Sequence, residues 1–109
     1  MLSRKALKKK RSQVINARSK ALNPFRKRIE KIENDIAREE NSLAELNNRM
    51  MEASRKQDGK KIGSLSRAIH ECQAEIDRRY ADLESVSLKF ENIEAEFDRQ
   101  LDSLETTTG

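Results

Sequence analysis

Apolar residues recur in alternating steps of four and three through two long stretches, and this spacing decides what the chain can become. The first stretch runs Phe25, Ile29, Ile32, Ile36, then Glu39, then Leu43, Leu46, Met50 and Ala53. The second runs Ile62, Leu65, Ile69, Cys72, Ile76, then Arg79, then Leu83, Val86, Phe90, Ile93 and Phe97. At about 3.6 residues per turn these positions share one side of a helix, and a stripe kept up for roughly four heptads marks a coiled coil. Between the stretches lies Asp58-Gly59, a turn dipeptide within residues 55–60. A connection this short makes the two helices antiparallel neighbours. The spacing therefore predicts an all-α fold: an antiparallel two-helix coiled-coil hairpin over residues 23–105, with helices at 24–54 and 61–104.

The alignment of the two arms follows from the turn. If facing positions have numbers that sum to 115, Ala53 meets Ile62, Met50 meets Leu65, Leu46 meets Ile69 and Leu43 meets Cys72. Beyond them Ile32 meets Leu83, Ile29 meets Val86 and Phe25 meets Phe90, all apolar on both sides. The two polar interruptions fall in adjacent layers, Glu39 on one arm and Arg79 on the other. Opposite charges at one height predict a Glu39–Arg79 contact that sets the register, at some expense in stability. The same alignment places Asp35 near Asp82 and Arg28 near Lys89, so the apolar seam has to outweigh two repulsions.

Residues 1–22 read as a separate basic helix or linker with a thin apolar edge of Leu7, Val14, Ile15, Ala21 and Leu22. Asn23-Pro24 is expected to end it, because proline cannot donate to the helical ladder and restricts the residue before it. The same pair would open the next helix, with Asn23 as cap and Pro24 in the first turn. The tail, residues 106–109, has no periodicity and is expected to be disordered.

Charge is distributed unevenly. Residues 1–31 carry 12 Lys and Arg against the single acid Glu30, a net of +11, and the remainder of the chain carries −7. Such a segment is suited to a polyanion. The candidate phosphate-binding residues are Arg4, Lys5, Lys8, Lys9, Lys10, Arg11, Arg18, Lys20, Arg26, Lys27, Arg28 and Lys31, with a second cluster of Arg55, Lys56, Lys60 and Lys61 around the turn. Aromatic side chains for base stacking are nearly absent from these parts, so backbone contact with little sequence specificity is expected. The competing expectation is internal matching. From residue 70 to 105 the last helix is acidic, and an antiparallel hairpin returns it toward the basic segment. In that case the chain would be a structural spacer or a protein-interaction hairpin, with Met51 and Leu88 outside the seam.

Other functions find little support. Only 35% of residues are apolar and 4% aromatic, too few for a closed core around a catalytic pocket. No phosphate loop occurs, since Gly59-Lys60-Lys61-Ile62-Gly63 lacks both spacing and hydroxyl. His70 and Cys72 are two potential ligands where zinc takes three or four, so no metal or cofactor is expected in this chain. A single cysteine forms no internal disulfide, and no stretch is apolar enough for a signal peptide core or a membrane span. A cytoplasmic protein without a membrane or small-molecule partner is expected. Self-association is a further expectation, because a lone hairpin buries only one stripe.

Three segments carry a family resemblance. They are Lys8-Lys9-Lys10-Arg11, then Leu22-Asn23-Pro24-Phe25-Arg26-Lys27-Arg28-Ile29-Glu30-Lys31-Ile32-Glu33, then Ala74-Glu75-Ile76-Asp77-Arg78-Arg79-Tyr80-Ala81-Asp82-Leu83-Glu84. In this order, over about residues 4–104, they resemble the C-terminal domain of ATP-binding cassette F family proteins, cytoplasmic ATPases with two cassettes. The resemblance implies a basic linker followed by a helical hairpin, ATP and magnesium held in cassettes elsewhere in a parent protein, and association with ribosomes or other nucleic acid. The Lys-rich Asp58-Gly59 tip departs from the acidic-aromatic turn of many members.

Overall fold

The computed structural model describes Ser3–Thr106, all but the first residue of which lie in two helices and a three-residue turn. Helix α1 spans Arg4–Arg55 and helix α2 spans Gly59–Thr106. Together they form an all-α helical hairpin, with no strand among the described residues. Both helices are rich in Glu, Lys, Arg, Leu and Ala, the residues that lose least freedom on becoming helical. Ser3 caps α1: its side-chain oxygen accepts from Ala6 N at 3.1 Å and its carbonyl from Leu7 N at 2.9 Å.

The expected break at Asn23-Pro24 is absent. Helix α1 passes straight through Pro24, so residues 4–22 are its first part and not a separate basic helix. Proline leaves the Lys20 carbonyl without its usual donor, but both residues are exposed and water can satisfy that oxygen. Packing holds the segment helical on both sides of the proline. Leu22 is fully buried and Phe25 half-buried on α1, and Val86 is buried and Phe90 and Ile93 half-buried on α2. Apolar burial thus overrides a local breaker.

The turn is built differently from the dipeptide reading. Gln57, not Gly59, takes the left-handed conformation, with φ 53°. Gln57 N donates to the Ser54 carbonyl at 3.1 Å and Asp58 N to the Ala53 carbonyl at 3.0 Å, the paired bonds of a Schellman helix end. Asp58 then caps α2, its Oδ1 accepting from Lys61 N at 3.2 Å and its carbonyl from Ile62 N at 2.9 Å. Gly59 is simply the first helical residue. Because a side chain in the left-handed region is strained, Gln57→Gly is expected to stabilise the fold by about 0.5–1 kcal/mol. Urea unfolding checks this through a raised midpoint at unchanged slope.

Residues Glu30–Glu84 form one compact unit, and the described residues on either side of it form another. In the first, Ile32, Ile36, Ala53 and Ile76 are buried in a seam, with Leu43, Leu46, Met50, Leu65, Ile69 and Cys72 half-buried along it. Cys72 donates its thiol to the Glu39 carbonyl at 3.4 Å, and His70 is exposed. In the second unit Leu7, Val14, Ala21 and Phe25 of α1 lie half-buried, as do Phe90, Ile93, Phe97, Leu101 and Leu104 of α2. The apolar edge expected on residues 1–22 is therefore part of the interhelical packing. Ile15 is the exception at 43% exposed.

Cross-helix pairs report the alignment. Arg18–Glu94, Arg18–Asp98 and Arg11–Glu105 in one unit have numbers that sum to 112, 116 and 116, and Asp35–Arg79, Glu39–Arg79 and Glu40–Tyr80 in the other sum to 114, 118 and 120. Long side chains spread the sums, and they bracket the expected 115 in each unit. At the far end Thr106 is the last residue of α2, its hydroxyl donating to the Ser103 carbonyl at 3.0 Å. The rest of the tail expected to be disordered, residues 107–109, lies outside the described residues.

Candidate nucleic-acid interface

The basic segment divides into cations held by the protein and cations left to solvent. Arg18 is the most tightly held. Its Nη2 donates to Glu94 Oε2 at 3.0 Å and its Nε lies 3.4 Å from Asp98 Oδ1, with the side chain 26% exposed. Arg11 lies 3.8 Å from Glu105. Arg26 donates to Asn23 Oδ1 at 3.1 Å and stacks its guanidinium 5.5 Å from the centre of the Phe90 ring, a cation–π contact. Among the described residues no ion pair involves Arg4, Lys5, Lys8, Lys9, Lys10, Lys20, Lys27 or Arg28, and all eight are exposed. Internal matching thus engages Arg11, Arg18 and Lys31 and leaves most of the segment's charge facing water.

The remaining candidates belong to the other unit. Lys31 donates to Asp35 Oδ2 at 3.0 Å. Arg55 grips Glu52 at 2.6 and 3.2 Å, and Lys56 approaches the same carboxylate at 3.4 Å. These hydrogen bonds, Arg55's foremost, hold the Glu52 carboxyl below its ordinary range. Lys60 and Lys61 follow in the first turn of α2, exposed and in no ion pair among the described residues. Around the turn, Arg55 and Lys56 thus share one carboxylate, while Lys60 and Lys61 stand in no ion pair among the described residues.

The polar layer of the same unit holds the pair that the interrupted heptads single out. Arg79 Nε donates to Glu39 Oε1 at 2.7 Å, and its Nη1 donates to Asp35 Oδ2 at 3.1 Å. Asp35, for which the alignment foresaw only repulsion from Asp82, is buried, 7% exposed, and is shared by Lys31, Arg38 and Arg79. Hydrogen bonds from Lys31 and Arg38, with the charge of Arg79, hold its carboxyl below the usual range despite burial. The hydrogen bond to Glu39 raises Arg79 further, keeping it charged. The sequence does signal Asp35, because Lys31 and Arg38 bracket it at helical spacing on the same face. Nearby, Tyr80 donates its phenol to Glu40 Oε1 at 2.8 Å, which raises the phenol above its ordinary range.

Two outcomes follow from this layer. Arg79→Leu removes the cation that joins the two helices, leaving Glu39 with none and Asp35 with only Lys31 and Arg38 of its own helix, and the melting temperature is expected to fall by about 5 °C. Removing an exposed pair such as Arg49–Glu45, 2.7 Å apart, should shift it far less. The second outcome concerns acid. Asp35, Glu52, Glu75 and Glu96 all titrate below their ordinary range, chiefly through hydrogen bonds from Lys31, Arg55, Arg78 and Arg99 respectively. A depressed folded value means that the unfolded chain binds protons first, so stability rises with pH through that range. It should be fully present above about pH 5 and be lost as pH falls through about 4 and below, as followed by helicity in an acid titration.

The chemistry of this surface is that of charge and hydrogen bonding. Among the described residues no group of three or more His, Cys, Asp or Glu side chains could hold a metal ion. No described helix is long and apolar enough to cross a membrane. Met51 and Leu88, at 69% and 58% exposed, lie outside the seam. In comparisons with protein-family models, curated proteins and solved structures, nothing matches this chain.

Proposed function

We propose that the chain is a non-catalytic, nucleic-acid-binding helical hairpin that takes up phosphates electrostatically and with little sequence specificity. One observation carries this reading: eight exposed cations between residues 4 and 28 of α1 have no carboxylate partner among the described residues. Unpaired like charges along one helix repel each other, by a few tenths of a kcal/mol per neighbouring pair. A polyanion removes that repulsion and releases its own condensed counterions, so both effects favour the complex. Each lysine ammonium can follow a phosphate oxygen on its flexible stem, whereas no exposed aromatic ring accompanies these cations to stack on a base.

The resemblance to the C-terminal domain of ATP-binding cassette F proteins supports the same reading and extends it. The hairpin then serves as the nucleic-acid-contacting accessory of an ATPase acting at the ribosome. In that setting ATP and magnesium belong to cassettes elsewhere in the parent, and this chain supplies contact, not hydrolysis. Titrating the fluorescently labelled chain with nucleic-acid duplexes of unrelated sequence tests the proposal. Dissociation constants of roughly 1–100 µM near physiological salt, alike across sequences within a few fold, are expected. Absence of binding even at 50 mM salt would overturn it.

A further inference from the structure

The outward face of α1 carries a second pattern besides charge. With about 100° per residue, Lys9, Asn16 and Lys20 fall within about 40° of one another, opposite the seam residues Leu22 and Arg18. Ser12 and Gln13 flank that line. All five are exposed. Among the described residues Ser12, Gln13 and Asn16 make no side-chain hydrogen bond, and no acid stands between Lys9 and Lys20. The face thus consists of two cationic ends, about 16 Å apart along the helix, with neutral donors and acceptors between them.

We propose that this face lies across the shallow groove of an RNA double helix, a deepening that rests on the nucleic-acid reading above. The two ends meet the phosphates of the bordering strands, Lys9 on one and Lys20 on the other. Ser12, Gln13 and Asn16 reach the groove floor between them. Groove shape and the 2′-hydroxyl decide for RNA. A helix resting on two phosphate ridges projects these short side chains only a few ångströms, too little for the B-form minor groove, roughly 6 Å wide and 7.5 Å deep, while the B-form major groove, which does admit a helix, carries no 2′-hydroxyl. The wide, shallow groove of A-form RNA brings its 2′-hydroxyls within that reach, and each hydroxyl both donates and accepts, as Gln13 and Asn16 side chains do. Charge attracts either duplex; the neutral band discriminates.

The test uses the whole chain with a blunt RNA duplex of about 20 base pairs, a DNA duplex of the same sequence and the single RNA strand. The RNA duplex should bind about tenfold more tightly than the DNA. The variant S12A/Q13A/N16A should lose most of that preference while keeping its DNA affinity. Alanine favours helix at all three positions, so unchanged circular dichroism will show that the fold is intact. Equal affinity of the native chain for both duplexes, or an RNA preference untouched in the variant, overturns this inference and leaves the electrostatic reading standing. No binding to any of the three overturns both.

Discussion

Replacing Pro24 with alanine is expected to raise the stability of the hairpin by about 2 kcal/mol. The proline stands in the interior of α1, twenty residues beyond its start, where its ring has no N–H for the Lys20 carbonyl. Proline inside a helix is about 3 kcal/mol less favourable than alanine. Its restriction of the unfolded chain returns about 0.4–1 kcal/mol, leaving a net near 2. Pro24 is exposed, so the exchange sacrifices no core packing. For a chain of this size the melting temperature should climb by about 10 °C, with the denaturant slope unchanged. A variant no more stable than the parent would mean that α1 bends or pauses at Pro24, contrary to the continuous helix described above.

The second large effect separates binding from folding. Lys8, Lys9 and Lys10 are exposed and make no ion pair among the described residues, so K8Q/K9Q/K10Q should leave the melting temperature within about 2 °C of the parent. Affinity for a nucleic-acid duplex should nevertheless fall by about a hundredfold. Loss of up to three phosphate contacts should also reduce the salt slope by about 2–3 units. Arg18→Gln should behave in the opposite way. Its guanidinium is committed to Glu94 and Asp98, so its loss lowers the melting temperature and barely touches binding. If the three-lysine variant melts early instead, those side chains hold the hairpin together and are no ligand surface.

How much of this was legible in the residues depended on which interaction decided each feature. Seam positions and the approximate alignment were readable because heptad spacing reports directly which side of a helix is buried, and the short turn leaves one topology. The Glu39–Arg79 layer was readable for the same reason: two polar residues interrupted otherwise apolar stripes at one height. Pro24 misled because local backbone preference argued for a break, while burial of Leu22 and Phe25 with Val86 and Phe90 argued against it. One count could have corrected that reading. From the turn, α2 extends some fifteen residues farther than an arm beginning at Asn23, and its Phe97 and Leu101 need apolar cover that only residues 7–21 could give. Gln57 was invisible because any residue can close a Schellman end at a strain of about 1 kcal/mol, and Asp58-Gly59 was the stronger turn signal.

The candidate surface was legible in composition but not in occupancy. A run of lysines and arginines looks uniform in sequence. Three-dimensional pairing then places Arg11, Arg18, Lys31, Arg55 and Lys56 in contact with Glu105, Glu94, Asp35 and Glu52, and the proposal rests on the cations that are left. Asp35 shows the converse. A carboxylate that the flat alignment paired with another acid is drawn to three cations, because long side chains reach across neighbouring layers.

The account turns on cations that exchange salt for phosphate. It is tested most directly by measuring the affinity of the whole chain for an RNA duplex at several salt concentrations from 50 to 200 mM. With four or more phosphates neutralised, a plot of log affinity against log salt should descend with a slope of about −3 or steeper. A flat line, or no complex at the lowest salt, would contradict it.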